Sequence, residues 1–316
     1  MQIDFTHCPG GVADKDELHS SFFSDTAVAV QRLRQLERTG FDRVLIDDMG
    51  GLLANMDLAS LALRSTQSIG VLVSHWPGIV APVVAARQFA AFDQIGSGRL
   101  ALRVPPSRDL RETNDDSGLV ATLGRTDEYL MLLKRLWSNA QPFDHEGLFY
   151  RIHGGFVPMK ASDGAVIPLQ LGGLSGTALK IAGRHADRFE LPVGGFDDTL
   201  RLIERVRVAA EPFGRAQRIC FSLPVHVGPV HVDHARSGED GQQDWQLTGE
   251  PEHVISVLAG FVELGVSDFI VHGLVDAEAV EAFGRQVIPA LRKAFRRHDP
   301  APTHLRKRPV VLRRIV

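Results

Sequence analysis

The sequence predicts an α/β chain folded as a (β/α)8 TIM barrel with short insertions, and three observations carry that expectation. Short apolar runs bounded by turn residues alternate with longer segments of helical spacing, which is the rhythm of repeated βα units around a parallel sheet. Eight such runs fall within roughly 290 residues, the usual extent of one closed barrel. The turn after the first run, His7-Cys8-Pro9-Gly10-Gly11, lacks the glycine fingerprint of an open dinucleotide-binding sheet.

The first strand is expected over Gln2 to His7. Ser24 or Asp25 can cap a helix whose Ala27, Val30, Leu33 and Leu36 share a face, and Gly40 ends it. Arg43 to Asp47 is the second strand, Met56 to Thr66 a helix, and the wholly apolar Ile69 to Val73 a strand suited to burial on both faces. Ala81 to Phe92 is the next helix, and the segment from Arg87 to Arg99 reads as structural, its glycines turning the chain into strand Arg99 to Val104. Thr126 to Trp137 is amphipathic along Tyr129, Leu132, Leu133 and Leu136. Phe143 to Phe156 reads as a hairpin excursion turning at Glu146-Gly147. Strands Ile167 to Leu171, Asp187 to Leu191, Ile219 to Val227 and Asp268 to Val271 then alternate with helices Thr177 to Gly183, Asp197 to Glu211, Glu250 to Leu264 and Ala277 to Arg296.

At 316 residues, 44% hydrophobic and 23% charged, the chain is long enough for two domains, but the βα rhythm assigns residues 1–298 to one barrel and leaves 299–316 as a basic tail. A net charge of −3 argues against a general nucleic-acid surface. The tail's Arg306, Lys307, Arg308, Arg313 and Arg314 suit a solvated or oligomer-docking segment. With two cysteines, Cys8 and Cys220, no disulfide framework is possible, and no apolar run reaches the roughly 18 residues of a membrane span. Neither membrane insertion nor secretion is expected, and the predicted location is the cytoplasm.

A barrel builds its site from loops after the C-terminal strand ends. That rule selects His7, Asp47 to Asn55, Ser74 to Gly78, Arg103 to Asp109, Gly172 to Gly176, Leu191 to Gly195, His226 and His272. The turn Gly172-Gly173-Leu174-Ser175 joins a strand to a helix start, where an anion such as phosphate can bind; a glycine-rich turn with a helix cap is the alternative. His7, His75, His226 and His272 sit near strand ends as candidate acids or bases, with His226 and His7 foremost. Trp76 can stack on a planar ligand or simply pack in the mouth. His226, His231 and His234 match no closed metal motif, and no metal is expected.

Several segments together resemble the bacterial luciferase-like, flavin-dependent monooxygenases, with closest similarity to the alkanesulfonate monooxygenase branch. They are Pro77-Gly78-Ile79-Val80-Ala81-Pro82 with Ala85-Ala86-Arg87-Gln88, Asp93 and Ser97-Gly98-Arg99-Leu100, then Arg125-Thr126-Asp127-Glu128-Tyr129 and Trp137. Phe143-Asp144-His145-Glu146-Gly147, Phe149-Tyr150, Gly172-Gly173 with Ser175, Ala182-Gly183-Arg184-His185-Ala186-Asp187, Thr248-Gly249 and Leu264-Gly265-Val266 continue the match in order. The resemblance implies reduced FMN supplied by a separate flavin reductase in a two-component system, and O2 as co-substrate. It further implies a flavin hydroperoxide that oxidises a small organic substrate, often an organosulfur compound, and a homodimeric or homotetrameric enzyme. Carried over residue by residue, it places flavin phosphate on Gly172, Gly173, Leu174 and Ser175 and puts His226 and His7 in the active site. His75 and Trp76 are expected to line the isoalloxazine or substrate side, and Arg103 is a further cofactor-binding candidate although Arg103-Val104-Pro105-Pro106 stands where the family has a polar, glycine-rich flavin contact.

The sequence also departs from the family pattern. The Arg expected two residues before the strand-seven His is Pro224, the Cys or Ser after strand two falls near Leu52, and the two expected Tyr positions hold Leu123 and Leu274. The long mobile insertion after strand seven is reduced to about Gly228 to Leu247. These losses keep two other readings open, a deazaflavin-dependent oxidoreductase and a degenerate flavin-binding barrel without catalysis.

Overall fold

The computed structural model describes residues 2–9, 25–47, 52–105, 116–162, 166–228, 246–247, 250–274 and 276–296. Eight parallel strands close into a barrel: β1 (Asp4–His7), β2 (Arg43–Ile46), β3 (Gly70–Ser74), β4 (Leu100–Val104), β7 (Leu169–Gly172), β8 (Arg188–Glu190), β9 (Cys220–Val227) and β11 (Val266–His272). Closure comes from β11 pairing with β1 and β8 with β9, which leaves no free edge in the ring. The helices between them are α1 (Thr26–Thr39), α2 (Leu52–Ser65), α3 (Pro82–Gly96), α4 (Asp116–Ser138), α5 (Gly176–His185), α6 (Phe196–Ala210), α7 (Pro251–Leu264) and α8 (Ala277–Phe295). The expected barrel is therefore the observed one.

Local chemistry fixes many of the boundaries. Asp25 caps α1 by accepting from the N–H groups of Ala27 and Val28, and Gly40 ends it in the left-handed conformation at φ 90°. The hairpin β5 (Phe143–Glu146) and β6 (Arg151–Gly155) forms the expected excursion. Glu128 of α4 fastens it, accepting from the backbone N–H groups of Phe149 and Tyr150 at 3.0 Å and pairing with His145 at 2.9 Å.

Two features differ from the sequence expectation. Helix α4 begins at Asp116 rather than near Thr126, its extra turns carrying glycines that weaken the helical signal. Gly124 has a packing reason there, because a Cβ would lie 3.1 Å from the Phe149 ring. The two-residue strand β10 (Gln246–Leu247) pairs parallel with His226 and Val227 and is too short to read from a pattern. The rest of the Gly228 to Leu247 excursion, Arg108 and the basic tail lie outside the described residues.

Alternation along the strands sorts side chains into two shells. Ile3, Phe5, Val44, Ile46, Val71, Val73 and Phe269 face the helices and build the main core. Leu45, Leu72 and Ile270 pack with Cys8 and Ala101 inside the ring. Below them an ionic base joins Arg43 to Asp4 and Asp268, and Arg188 to the same two carboxylates at 3.2 Å each. A cavity of about 360 Å³ opens at this N-terminal end, lined in part by Asp4, Arg43, Gln170 and Arg188. The ion pairs at this end brace the barrel, whereas the chemistry of such barrels belongs to the other end.

Candidate active site

The C-terminal mouth of the barrel gathers the inward-facing ends of seven strands. Arg103 of β4 reaches across to Glu190 of β8 with a two-pronged hydrogen bond, Nε to Oε2 at 2.6 Å and Nη2 to Oε1 at 2.7 Å. Its Nη1 donates to Asp47 after β2 at 3.2 Å and to Ser74 of β3 at 3.3 Å. Gln170 of β7 donates to Glu190 at 2.9 Å. Burial opposes the charge on Glu190, but the hydrogen bond and charge of Arg103 outweigh it and hold the carboxyl below its usual range. The same pairing overcomes burial at Arg103 and raises its pKa.

His272 of β11 completes the mouth beside His226 of β9, to which it is register-paired. Burial, reinforced by the nearby His226, pushes His272 down to about 4. Gly273, at φ 87°, lets β11 pass close to this pair; a Cβ there would fall 2.2 Å from the Val227 carbonyl oxygen and 3.0 Å from Nε2 of His226. Cys8 lies beneath the cluster, its thiol raised to about 12 by burial and then by the Asp47 charge, so it stays protonated at neutral pH.

Not all the sequence-selected residues meet here. His7 shares the helix-facing side of β1 with Phe5, and its ring packs edge-on against Phe41 at 5.6 Å. Burial, with help from His272, pushes it down to about 3. His75 likewise points between helices, hydrogen-bonded to the Tyr129 hydroxyl at 2.8 Å and edge-on to Phe89 at 4.9 Å. Burial lowers it to about 4. Trp76, the next residue, is half-buried. The structure thus groups His226 with Arg103, and sets His7 and His75 behind the sheet.

The turn Gly172-Gly173-Leu174-Ser175 leads from β7 into α5 on the same end of the barrel. Gly173 sits at φ 127°, and a Cβ there would meet the Ala178 Cβ at 2.8 Å. Ser175 is the N-cap, its Oγ accepting from the Ala178 N–H at 3.1 Å. Helix geometry gives the Gly176 and Thr177 N–H groups no intrahelical acceptor, and the space where a Gly176 Cβ would stand is open. Glu190, Asp47 and Ser74 form the polar cluster that sequence reasoning did not assemble. Asp47 and Ser74 lay in selected strand-end segments, and Glu190 fell one residue short of one. For Asp47 the available signal was an acidic residue closing the apolar run Val44-Leu45-Ile46; the short, charged Arg188-Phe189-Glu190 strand gave no such signal for Glu190.

The comparisons agree with this architecture. Among solved structures, EDTA monooxygenase from Chelativorans sp. BNC1 superposes with a TM-score of 0.77 at 14% identity, covering 93% of this chain and 94% of that one. The coenzyme F420 dependent tetrahydromethanopterin reductase from Methanopyrus kandleri gives 0.72 at 17% identity, covering 92% and 100%. The oxygenating constituent of 3,6-diketocamphane monooxygenase from Pseudomonas putida, in complex with FMN, gives 0.68 at 14% identity, covering 92% and 99%. At these identities the likeness establishes the fold. The sequence model of the luciferase-like monooxygenases matches residues 11–237, well over half of the chain, and the protein belongs to that family.

Proposed function

We propose that this chain is a monooxygenase that uses reduced FMN and O2 to oxidise a small organic molecule at the barrel mouth. The observation that carries the reading is the Gly172–Ser175 turn, where a left-handed glycine and a capped helix start open beside a polar mouth in a member of this family. Backbone N–H groups at a helix start favour an anion, which suits flavin phosphate. Ser175 holds the turn, Gly173 lets the chain approach closely, and Leu174, half exposed, borders the opening.

Bound reduced flavin would supply the activation of O2, a step no side chain can perform. The protein's part is to orient, to exclude water and to move a proton. His226, on the inward face of β9, is the proposed proton-handling group, with Trp76 on the flavin side. Arg103 shapes the mouth through Glu190 and Asp47. His7 and His75 support it from behind the sheet. A separate reductase delivering the flavin, an organosulfur substrate, a cytoplasmic location and a homo-oligomeric state belong to the same proposal. Among the described residues no helix is long and apolar enough to cross a membrane.

Anaerobic titration of the purified protein with reduced FMN tests the cofactor, followed by O2 uptake and product analysis. Tight FMN binding and substrate oxidation are expected, with His226→Ala lowering turnover by about 100-fold or more. The F420-dependent neighbours favour a second reading, deazaflavin-dependent oxidoreduction, and the same titration run with F420 decides between them.

A further inference from the structure

We propose that the mouth selects a substrate carrying an ammonium group, received by Asp47, and turns away sulfonates and carboxylates. This deepens the reading above and rests on its placing of substrate at the barrel mouth. The observation is a surplus of negative charge. Among the described residues of the mouth, two carboxylates, Asp47 and Glu190, share one guanidinium, that of Arg103.

The sharing is unequal. Glu190 holds both prongs of Arg103 and takes a further hydrogen bond from Gln170, so the Arg103 charge is matched in place. Asp47 receives only the longer contacts from Nη1, at 3.2 and 3.3 Å, and that nitrogen also donates to Ser74. Their exposures differ accordingly, with 38% of the Asp47 side chain open against 11% for Glu190 and 14% for Arg103. A ligand entering the mouth therefore meets a carboxylate edge before it meets the guanidinium.

An anionic ligand would have to pull Arg103 from Glu190, stranding a buried carboxylate, or lie beside Asp47 without a partner. Position 224, one step below His226 on the same face of β9 and paired with Ile270, is proline and offers no cation. An ammonium group has the opposite fate. It can donate to Asp47 and to the Ser74 hydroxyl while the Arg103–Glu190 pair stays intact. One incoming positive charge balances the carboxylate that the Arg103–Glu190 pair leaves over.

The test uses the full-length protein and four probes of equal chain length: hexylamine, hexanol, hexanoate and hexanesulfonate, with binding read by calorimetry in flavin-free and FMN-loaded samples. Hexylamine is expected to bind about tenfold or more tightly than hexanesulfonate. That preference should collapse in Asp47→Asn and survive in Asp47→Glu. Should the variants fold poorly, the wild-type protein still answers, because added salt must weaken hexylamine binding while leaving hexanol nearly unchanged. Equal or tighter binding of hexanesulfonate, no hexylamine binding, or an undiminished preference in a folded Asp47→Asn protein each overturn the proposal. FMN affinity is measured separately by fluorescence quenching. A wild-type protein that prefers hexylamine yet fails to bind FMN would sink the flavin reading and leave the charge selection standing.

Discussion

Glu190 shows how a single side chain sets the character of the mouth. Its carboxylate is nearly enclosed and owes its charge to Arg103, so neither group can lose the other cheaply. Glu190→Ala leaves a guanidinium in the barrel with only the looser Nη1 contacts to Asp47 and Ser74, and is expected to cost about 3–5 kcal/mol in denaturant-induced unfolding. Glu190→Gln keeps one hydrogen-bond acceptor and should lose less. The position of Arg103 and Asp47 at strand ends was legible in the sequence, but their partnership was not. Which face a residue takes depends on strand register to within one position. Ser74 and Cys8 turn inward while their neighbours His75 and His7 turn toward the helices, and nothing in the residue types announces that choice.

Elements were far easier to read, because their signals are local. Asp25, Gly40 and the period of α1 specify that helix without reference to the rest of the chain. The motifs that carried the family resemblance prove to be fasteners between elements. Asp127 on α4 pairs with Arg184 at 2.9 Å and His185 at 2.7 Å on α5. Asp187 accepts from the Leu169 N–H at 3.0 Å and pairs with Arg215. Gly183 lets α5 and α6 touch, since a Cβ there would come 2.6 Å from the Ala209 carbonyl oxygen. Such motifs report the scaffold, which explains why fold was more legible than substrate. Two consequences are measurable at this scale. Glu128→Ala removes the acceptor that ties the Phe149–Tyr150 turn to α4, so limited proteolysis should cut the β5–β6 hairpin faster while the barrel's own melting changes little. Gly173→Ala forces a side chain into a strained backbone conformation against Ala178. It should lower stability by about 1–3 kcal/mol and weaken FMN binding by more than that loss explains, as fluorescence titration against melting would show.

The whole molecule layers its polarity, with an ionic base, an apolar middle and a charged mouth inside one apolar shell. That layering makes acid its weak condition. His7, His75 and His272 are held neutral, with values near 3, 4 and 4 in the folded chain against 6.5 when exposed. Depressed values mean that the unfolded chain binds more protons wherever the pH lies below 6.5 and above the folded values. Stability is therefore complete above about pH 6.5 and falls as pH drops through that window, each histidine contributing up to about 1.4 kcal/mol per pH unit. Glu190 adds its loss only below the ordinary carboxylate range, since its folded value is lowered and its stabilisation disappears as pH falls through that value. Denaturant melts from pH 8 to 4 should show a plateau and then a steepening decline beginning near 6.5. His75→Phe, which keeps a flat ring beside Phe89 but gives up the Tyr129 hydrogen bond, should lower the plateau and reduce the slope by one histidine's share. A stability that stays level from pH 7 to 5, or a His75→Phe protein with the wild-type slope, would show that these rings are protonated inside the folded barrel.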